Sequence, residues 1–294
     1  MLSGQSVIDL IERRYSCRSY AETPIAAETQ ARLSAFMAEH AVGPLGTRVR
    51  LRLIAAEEGD AAALKGLGTY GFIRGAMGFV AGVVPEEGDF VLEDFGFVME
   101  RVVLFATGLG LGTVWLGGTF TKSRFAEKLG VDEGESVPAV VATGTPADEP
   151  RGLDRWIRRG AKSDQRRPWS ELFFEGGFDA PLSREAAGPY DTVLEMVRQA
   201  PSASNKQPWR LVRDGERWHL FLRRTRGYAA RNALIGIADM QRIDMGIAMC
   251  HFALTAEEVG LSGRWVREMP EIATPDDRTL YVVTWVSRAV DEDL

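Results

Sequence analysis

The spacing of hydrophobic residues along the chain changes several times, and each spacing predicts a type of secondary structure. Apolar residues three or four positions apart predict helices over residues 7–14, with Ser6 as the cap, and over residues 27–39. Strict alternation over residues 48–53 predicts a half-buried strand. The continuous apolar run at residues 138–144 predicts a central strand. The first part of the chain therefore combines helices with strands.

The C-terminal part of the chain has a similar mixture of patterns. Residues 183–198 have helical spacing, and residues 280–286 form a terminal apolar strand. Residues 209–222 predict a hairpin that turns at Asp214 and Gly215, because glycine tolerates the positive φ of a tight turn. A long helix is also predicted from about residue 92 in the first part, and a second long helix precedes the terminal strand in the second. Each part thus offers a helix, a strand, a long helix and a strand, which indicates an α+β layered fold with antiparallel or mixed sheets.

A longer pattern links the two parts. Residues 94–115 and 244–265 share eight of 22 aligned residues without a gap, at a register shift of 150 positions. The identities include aspartate, glycine and tryptophan, which favours internal duplication over a chance match between two amphipathic helices. The sequence therefore predicts two related halves, residues 1–175 and 176–294, joined by a basic junction that begins at Arg151.

The composition is that of an ordinary globular protein and argues against several classes of function. The chain has 294 residues, of which 45% are hydrophobic, and its net charge of -6 does not favour nucleic acid as a partner. No apolar run is long enough to cross a bilayer, and residues 1–19 carry charges where a signal peptide would be apolar. We therefore expect a cytoplasmic protein with no membrane partner. Two cysteines and three dispersed histidines predict neither a disulfide framework nor a metal site.

Two short polar segments contain groups that could bind a ligand. Residues 14–18 (RYSCR) bring two guanidinium groups and a hydroxyl together, a set that can hold a phosphate dianion or form a solvated helix end. Residues 200–209 (APSASNKQPW) contain two prolines that fix the backbone, with several amide and hydroxyl groups between them. Those groups could contact a flat heterocycle or a ribityl chain, or could form ordinary turns.

In combination, these segments and the glycine-rich sequence after a helix containing Asp-x-Gly resemble the nitroreductase family of flavin mononucleotide (FMN) enzymes. The resemblance extends over nearly the whole chain and implies a set of FMN-binding residues. Those implied for the phosphate are Arg14, Ser16 and Arg18, together with their neighbour Tyr15, and Arg166 from residues 165–169 (QRRPW). Those implied for the flavin ring are Gly117 and Gly118 in a backbone turn, and Pro201, Ser202, Ala203 and Asn205 in the polar loop.

The resemblance also suggests a cation near flavin N1 and O2. Arg74 is the candidate, because the family often places a basic residue from this region there. A cation at that position would favour the reduced flavin through Coulomb attraction. An ordinary exposed arginine is the alternative interpretation of Arg74, and Lys206 is a second candidate for the role.

This chain departs from the family pattern in a way that changes the expected assembly. An ordinary member carries every motif in one subunit and binds two flavins between identical subunits. Here RYSCR, the turn at Gly117 and Gly118, and Arg166 lie in the first half, whereas APSASN lies in the second. In the second half, Arg267 and Glu268 replace the glycine pair. The resemblance therefore implies a monomeric single-chain pseudo-dimer with one flavin site built from both halves.

The activity implied by the resemblance is redox chemistry on a small molecule. We expect hydride transfer from NADH or NADPH to FMN, followed by electron transfer to a nitroaromatic, a quinone or a similar flat acceptor. The cofactor supplies this chemistry, so no side chain is expected to act as a nucleophile or general base. A non-catalytic flavin or ligand carrier and a flavin-consuming enzyme of the same fold are the alternatives.

Overall fold

The computed structural model describes residues 2, 4–57, 64, 65, 67, 71, 73–118, 120–147 and 165–287. Its helices are α1 (Val7–Arg13), α2 (Ala27–Glu39), α3 (Val91–Gly108), α4 (Lys122–Leu129), α5 (Arg184–Ala187), α6 (Asp191–Gln199), α7 (Tyr228–Leu234) and α8 (Met240–Glu258). Its strands are β1 (Arg50–Ala55), β2 (Gly78–Pro85), β3 (Gly112–Leu116), β4 (Glu135–Ser136), β5 (Val140–Gly144), β6 (Phe173–Glu175), β7 (Trp209–Asp214), β8 (Arg217–Arg223), β9 (Gly263–Val266) and β10 (Thr279–Ser287). Most of the predicted basic junction, at residues 151–164, lies outside the described residues.

Within the described residues, the strands form two five-stranded sheets. The first sheet has the order β1-β2-β5-β3, with β4 pairing the end of β2, and its pairs are antiparallel. The second sheet has the order β6-β7-β8-β10-β9, in which β6 runs parallel to β7 and the other pairs are antiparallel. This is the predicted α+β layered fold, and β5, from the apolar run, lies inside its sheet as expected.

Two long helices, α3 and α8, pack directly against each other and are buried on most sides. One apolar core includes residues from both helices and both sheets. The helices are in close backbone contact at Gly96 and Gly246, which the 150-residue register shift pairs. A Cβ on Gly96 would lie 2.2 Å from Ile243 O, and a Cβ on Gly246 would lie 1.9 Å from Glu93 O. Both positions therefore require glycine at this separation of the helices.

The segment around α1 connects the ends of these two helices. Gln5 Nε2 donates to the carbonyl oxygen of Gly108, the last residue of α3, at 2.8 Å. Ser6 caps α1 as predicted, because its Oγ accepts from Asp9 N at 3.2 Å. The same hydroxyl donates to Oε1 of Glu258, the last residue of α8, at 2.6 Å. The start of the first half is thereby fixed to the long helix of the second half.

Most predicted elements are present, and the differences have local causes. The predicted hairpin turns at Gly215, whose φ is 56°. The helix predicted over residues 183–198 is interrupted because Gly188 takes a φ of 58° and Pro189 begins a new helical turn, so α5 and α6 are separate. Strand β6 precedes residue 176 but pairs with β7, which places it in the second sheet. Among the described helices, none combines the length and apolar character needed to cross a membrane.

Replacing Gly246 with alanine tests whether the contact between α3 and α8 determines stability. In an isolated helix alanine is favoured over glycine by about 1 kcal/mol, but here its Cβ would meet backbone of the facing helix. We expect the free energy of unfolding, measured by urea denaturation, to fall by about 1–3 kcal/mol. Gly177→Ala is the matched control, because a Cβ there meets nothing within 4 Å. A Gly246→Ala protein as stable as the parent would show that the helices can separate without cost.

Candidate functional site

A cavity of about 460 Å³ lies between the two halves. Its walls come from the RYSCR segment, the end of β3, the loop before β7, the segment around α7 and the start of α8. The lining residues are Ser16, Arg18, Val114, Trp115, Gly117, Gly118, Pro201, Ser202, Ala203, Ser204, Tyr228, Arg231, Asn232, Ile235, Ile237, Met240, Asp244 and Ile247. Residues from three of the predicted motifs therefore meet at one cavity.

The RYSCR segment reaches the cavity because it runs beside β3. Cys17 N donates to Thr113 O at 2.9 Å, and Ser16 pairs with Thr113 in a parallel β-bridge. Successive residues of an extended segment point to opposite sides, so Ser16 and Arg18 line the cavity while Cys17 is buried. Arg18 Nη1 also donates to Ser16 O at 3.3 Å, which keeps the guanidinium at the cavity wall.

The glycine pair after β3 forms a wall of bare backbone. A Cβ on Gly117 would lie 2.5 Å from Met240 Sδ, and a Cβ on Gly118 would lie 2.2 Å from Ile237 Cδ1. A larger residue at either position would overlap these side chains of the second half. Glycine therefore lets Met240 and Ile237 pack directly on the turn, whose backbone lines the cavity without a side chain.

The loop at residues 200–207 forms the opposite wall, and hydrogen bonds hold its shape. Ala203 N donates to Asp244 Oδ1 at 2.9 Å, and Gln207 N donates to Ser202 Oγ at 2.9 Å. Positive φ values occur at Ser204 (51°), Asn205 (52°) and Gln207 (48°). Such values cost non-glycine residues on the order of 1–3 kcal/mol each, so contacts with the rest of the protein must maintain this conformation.

Asn205 and Arg166 lie beside this loop rather than in the cavity lining. Asn205 Nδ2 donates to Gln165 O at 2.9 Å, and Asn205 Oδ1 accepts from Gln207 Nε2 at 3.0 Å. Arg166 Nη2 donates to Gln199 O at the end of α6, at 3.1 Å. Both residues therefore tie the segment before β6 to the polar loop and its flank, which fixes the shape of the cavity wall.

The other predicted residues also lie outside the cavity lining. Arg14 is buried, with its Nε 3.8 Å from Glu100 Oε1. Burial lowers the pKa of the Arg14 guanidinium, and the negative charge of Glu100 partly offsets this. Tyr15 and Arg74 are exposed, and the Arg74 backbone N–H donates to Arg18 O at 3.0 Å. Arg18 is thus the arginine of the predicted set that lines the cavity.

Sequence reasoning missed the wall formed by α7 and the residues that follow it. This wall contributes Tyr228, Arg231, Asn232, Ile235 and Ile237. A signal was present in the lengths of two connections, because residues 86–90 join β2 to α3 whereas residues 224–239 join β8 to α8. The longer connection contains α7, which covers the cavity from the second half.

The position in the second half that corresponds to the glycine turn is filled. The register shift pairs Gly117 with Arg267 and Met240 with Phe90. The Arg267 guanidinium carbon lies 4.4 Å from the centroid of the Phe90 ring, and Nη2 donates to Leu45 O at 3.4 Å. A guanidinium over an aromatic face is a favourable contact. The Arg267 side chain therefore occupies a position at which Gly117, its counterpart, has no side chain.

Asp94 and Asp244, which the register shift also pairs, differ in how many of their carboxyl oxygens have hydrogen-bond partners. Asp94 accepts hydrogen bonds from Leu45 N at 2.9 Å and Thr47 N at 2.7 Å, so both its oxygens have partners. Asp244 accepts from Ala203 N through Oδ1, while its buried Oδ2 has no hydrogen-bond partner within the described residues. Burial raises the pKa of Asp244 well above its ordinary value, so the protonated form is favoured beside the cavity.

The lining combines a cationic end with apolar surface. Arg18 and Ser16 offer donors of the kind that bind phosphate or carboxylate groups. Trp115, Ile237 and Met240 offer apolar surface for a flat ring. Among the side chains that the structure describes, no group of three His, Cys, Asp or Glu residues is placed to hold a metal ion. The cavity is therefore suited to a flat organic ligand with an anionic group.

Fold and site together define an α+β protein with a ligand-sized cavity between two halves. The family model described as "Putative TM nitroreductase" matches residues 6–256, and the chain belongs to this family. The solved structure of a "putative nitroreductase" from Thermotoga maritima is similar, with a TM-score of 0.60 and 17% identity over 97% of this chain and 95% of that one. A nitroreductase with bound FMN from Bacteroides fragilis has a TM-score of 0.38 and 22% identity over 50% of this chain and 91% of that one. No curated protein matches the sequence.

Asp244→Asn tests the protonation of the carboxyl group beside the cavity. Because the pKa of Asp244 is raised on folding, the folded protein keeps a proton that the unfolded chain releases near pH 4, roughly the ordinary value for aspartate. The proton on Asp244 therefore makes its full contribution to the stability of the folded parent below about pH 4. This contribution is lost as the pH rises towards the raised pKa of Asp244.

Asparagine does not titrate, so the stability of this variant relative to the parent should increase as the pH rises from about 4 towards the raised pKa of Asp244. Urea denaturation at a series of pH values measures the difference in the free energy of unfolding. A difference that does not change with pH would contradict the raised pKa.

Proposed function

We propose that this protein is an FMN-dependent oxidoreductase that takes hydride from NADH or NADPH and passes electrons to a nitroaromatic, a quinone or a similar flat molecule. The observation that carries the proposal is the cavity in which Ser16 and Arg18 of one half face Ser202 and Ala203 of the other. These are positions at which the sequence resembles the FMN-binding motifs of nitroreductases. Membership of the nitroreductase family supports the same class of reaction.

FMN suits the cavity in size and in the chemistry of the walls. The volume of about 460 Å³ lies within the range of roughly 300–1,000 Å³ that is usual for small-molecule sites. Arg18 and Ser16 offer hydrogen-bond donors for the phosphate. Gly117 and Gly118 line the cavity with backbone alone, against which the edge of a ring can pack. The unpartnered Oδ2 of Asp244 is a further polar group for the ligand.

In this proposal the chain binds and orients, while bound FMN supplies the hydride and electron transfer. Arg18 and Ser16 hold the phosphate at one end of the cavity. Residues 201–203 pack against the ring from the second half, in a backbone conformation that Asp244 fixes. Tyr228 and its neighbours on α7 exclude water from one side. The site is complete within a single chain, so no second copy is needed.

The colour and reduction of the purified protein test the activity. We expect yellow protein whose flavin absorbance bleaches under nitrogen when NADH or NADPH is added and returns when a quinone or nitroaromatic is added. Yellow protein that neither nucleotide reduces would instead support a flavin carrier. Protein that stays colourless after incubation with FMN would contradict both functions.

Titration of the apoprotein with FMN tests the number of sites. We expect one FMN per chain, because the Arg267 side chain lies over Phe90 at the position that corresponds to the glycine turn lining the cavity. Arg267→Gly should also bind one FMN, because the second half has no RYSCR segment to hold a phosphate. Two equivalents of FMN bound by the parent would contradict the one-site account.

Arg18→Ala tests the phosphate end of the cavity. Loss of one charge-assisted hydrogen bond costs about 1.5–3 kcal/mol, which corresponds to roughly ten- to hundredfold weaker FMN binding. Riboflavin lacks the phosphate, so its affinity should change little. Arg13→Ala is the matched control, because Arg13 is exposed on α1 and donates to Gln5 Oε1. An equal loss of affinity for FMN and riboflavin would show that Arg18 contacts a part of the ligand other than the phosphate.

A further inference from the structure

A buried carboxyl group behind the cavity joins several elements of both halves. Glu100, on α3, is fully buried. Its Oε2 accepts a hydrogen bond from Trp115 Nε1 at 2.8 Å. Its Oε1 lies 3.1 Å from His251 Nε2 and 3.8 Å from Arg14 Nε. Because Trp115 lines the cavity, Glu100 lies directly behind an indole ring of the cavity wall.

The hydrogen bonds of His251 fix the number of protons in this cluster. Its Nδ1 lies 2.9 Å from Met196 O, a carbonyl that can only accept, so Nδ1 carries a hydrogen. The contact between Nε2 and Glu100 Oε1 needs one more hydrogen, carried by either the imidazole or the carboxyl group. In both arrangements His251 and Glu100 together are neutral. With Arg14, the cluster therefore carries one net positive charge.

Two further ionisable groups, Cys250 and Arg101, interact with this cluster or with each other. Neither changes the net charge of the cluster formed by Glu100, His251 and Arg14. Burial raises the pKa of the Cys250 thiol well above its ordinary value, and the charge of Glu100 adds to this effect. Cys250 is therefore a neutral thiol. The positive charge of Arg101 acts on the pKa of the same thiol in the opposite direction. Its charge is a constant background when Glu100 or His251 is replaced.

The second half lacks the equivalent acid. The register shift pairs Glu100 with Cys250 and Trp115 with Trp265. Trp265 Nε1 is buried and has no hydrogen-bond partner in the part of the chain that the structure describes, whereas Trp115 Nε1 donates to Glu100. Burying a carboxyl group is costly unless it is paired. Glu100 is thus present beside Trp115, which lines the cavity, whereas Trp265 has no corresponding carboxyl group. This difference associates Glu100 with the cavity rather than with the fold that the two halves share.

We propose that Glu100 and His251 are positioning residues for the flavin site. They hold the Trp115 ring in the cavity wall and leave the charge of Arg14 uncancelled behind it, where it favours the reduced, negatively charged flavin. Glu100 orients Trp115 and Arg14, and His251 supplies the proton that neutralises Glu100. This inference rests on the proposed function, because it takes FMN as the ligand of the cavity.

Substitutions of Glu100 and His251 distinguish an effect of the net charge of the cluster from an effect of structural damage. In His251→Gln no imidazole shares a proton with Glu100, and the Arg14 guanidinium, with its Nε 3.8 Å from Glu100 Oε1, favours the carboxylate form. The charge of Arg14 is then cancelled, and the reduced flavin loses its favourable charge. In Glu100→Gln the new amide can accept from Trp115 and donate to His251, which leaves the net charge unchanged. In the double variant the charge of Arg14 is again uncancelled. The single His251 variant should therefore differ from the other two.

Anaerobic titration of the FMN-loaded protein against a redox dye measures this difference. At a fixed potential, His251→Gln should lower the ratio of reduced to oxidised flavin on the order of tenfold, because the reduced flavin loses the Coulomb attraction of one nearby charge. Glu100→Gln and the double variant should keep the parental ratio. The control His219→Gln, at a buried histidine that contacts Thr284 in the second sheet, should also keep it. A ratio that falls in the double variant as well, or that stays parental in His251→Gln, would overturn the proposal.

Unfolding of the apoprotein separates this inference from the proposed function. If the parent binds no FMN, the proposed function fails, but the pairing of Glu100 with His251 can still be measured by urea denaturation of the same variants. Removing one partner of a buried pair leaves the other uncompensated, so the double variant should lose less stability than the two single losses added together. Additive losses would show that the residues are not paired and would overturn the inference.

Discussion

The close contact of α3 with α8 at Gly96 and Gly246 is the constraint on which the rest of the structure depends. A Cβ on either glycine would collide with backbone of the facing helix, so the contact fixes how near the two helices lie. Both sheets pack on the core that these helices share. The contact also brings the start of α8 to the end of β3, where Met240 packs against Gly117 beside the cavity. The cavity is therefore a consequence of how the two halves pack.

The two halves share one pattern, and a few positions decide which of them keeps an open site. Gly117 leaves the turn after β3 bare, whereas Arg267 at the corresponding position stacks on Phe90. Asp94 uses both carboxyl oxygens to hold a short loop, whereas Asp244 keeps one oxygen unpartnered beside the cavity. Arg267 and Asp94 thus make packing contacts or hydrogen bonds within the chain. Their counterparts, Gly117 and Asp244, lie beside the cavity and can contact a ligand.

Local spacing predicted the long buried helices and central strands because their periodicity follows directly from burial. It also identified Gly96 and Gly246 as repeated residues, but their role depends on a contact between residues 150 positions apart. Arg14 and Arg18 looked equivalent in sequence. The structure separates them, because the chain leaves α1 at residue 13 and Arg14 turns inward to Glu100, whereas pairing with β3 directs Arg18 to the cavity. Helix α7 is too short to give a clear hydrophobic periodicity. The length of the connection between β8 and α8 was the one indication in the sequence that this wall of the cavity exists.

A crystal structure of the chain with FMN is the most direct test of the central claim, that one flavin site is assembled from both halves. The account predicts one FMN per chain, with its phosphate at Ser16 and Arg18 and its ring between the Gly117 turn and residues 201–203. A flavin held entirely by residues of one half, or a second flavin in place of the Arg267 side chain, would contradict it.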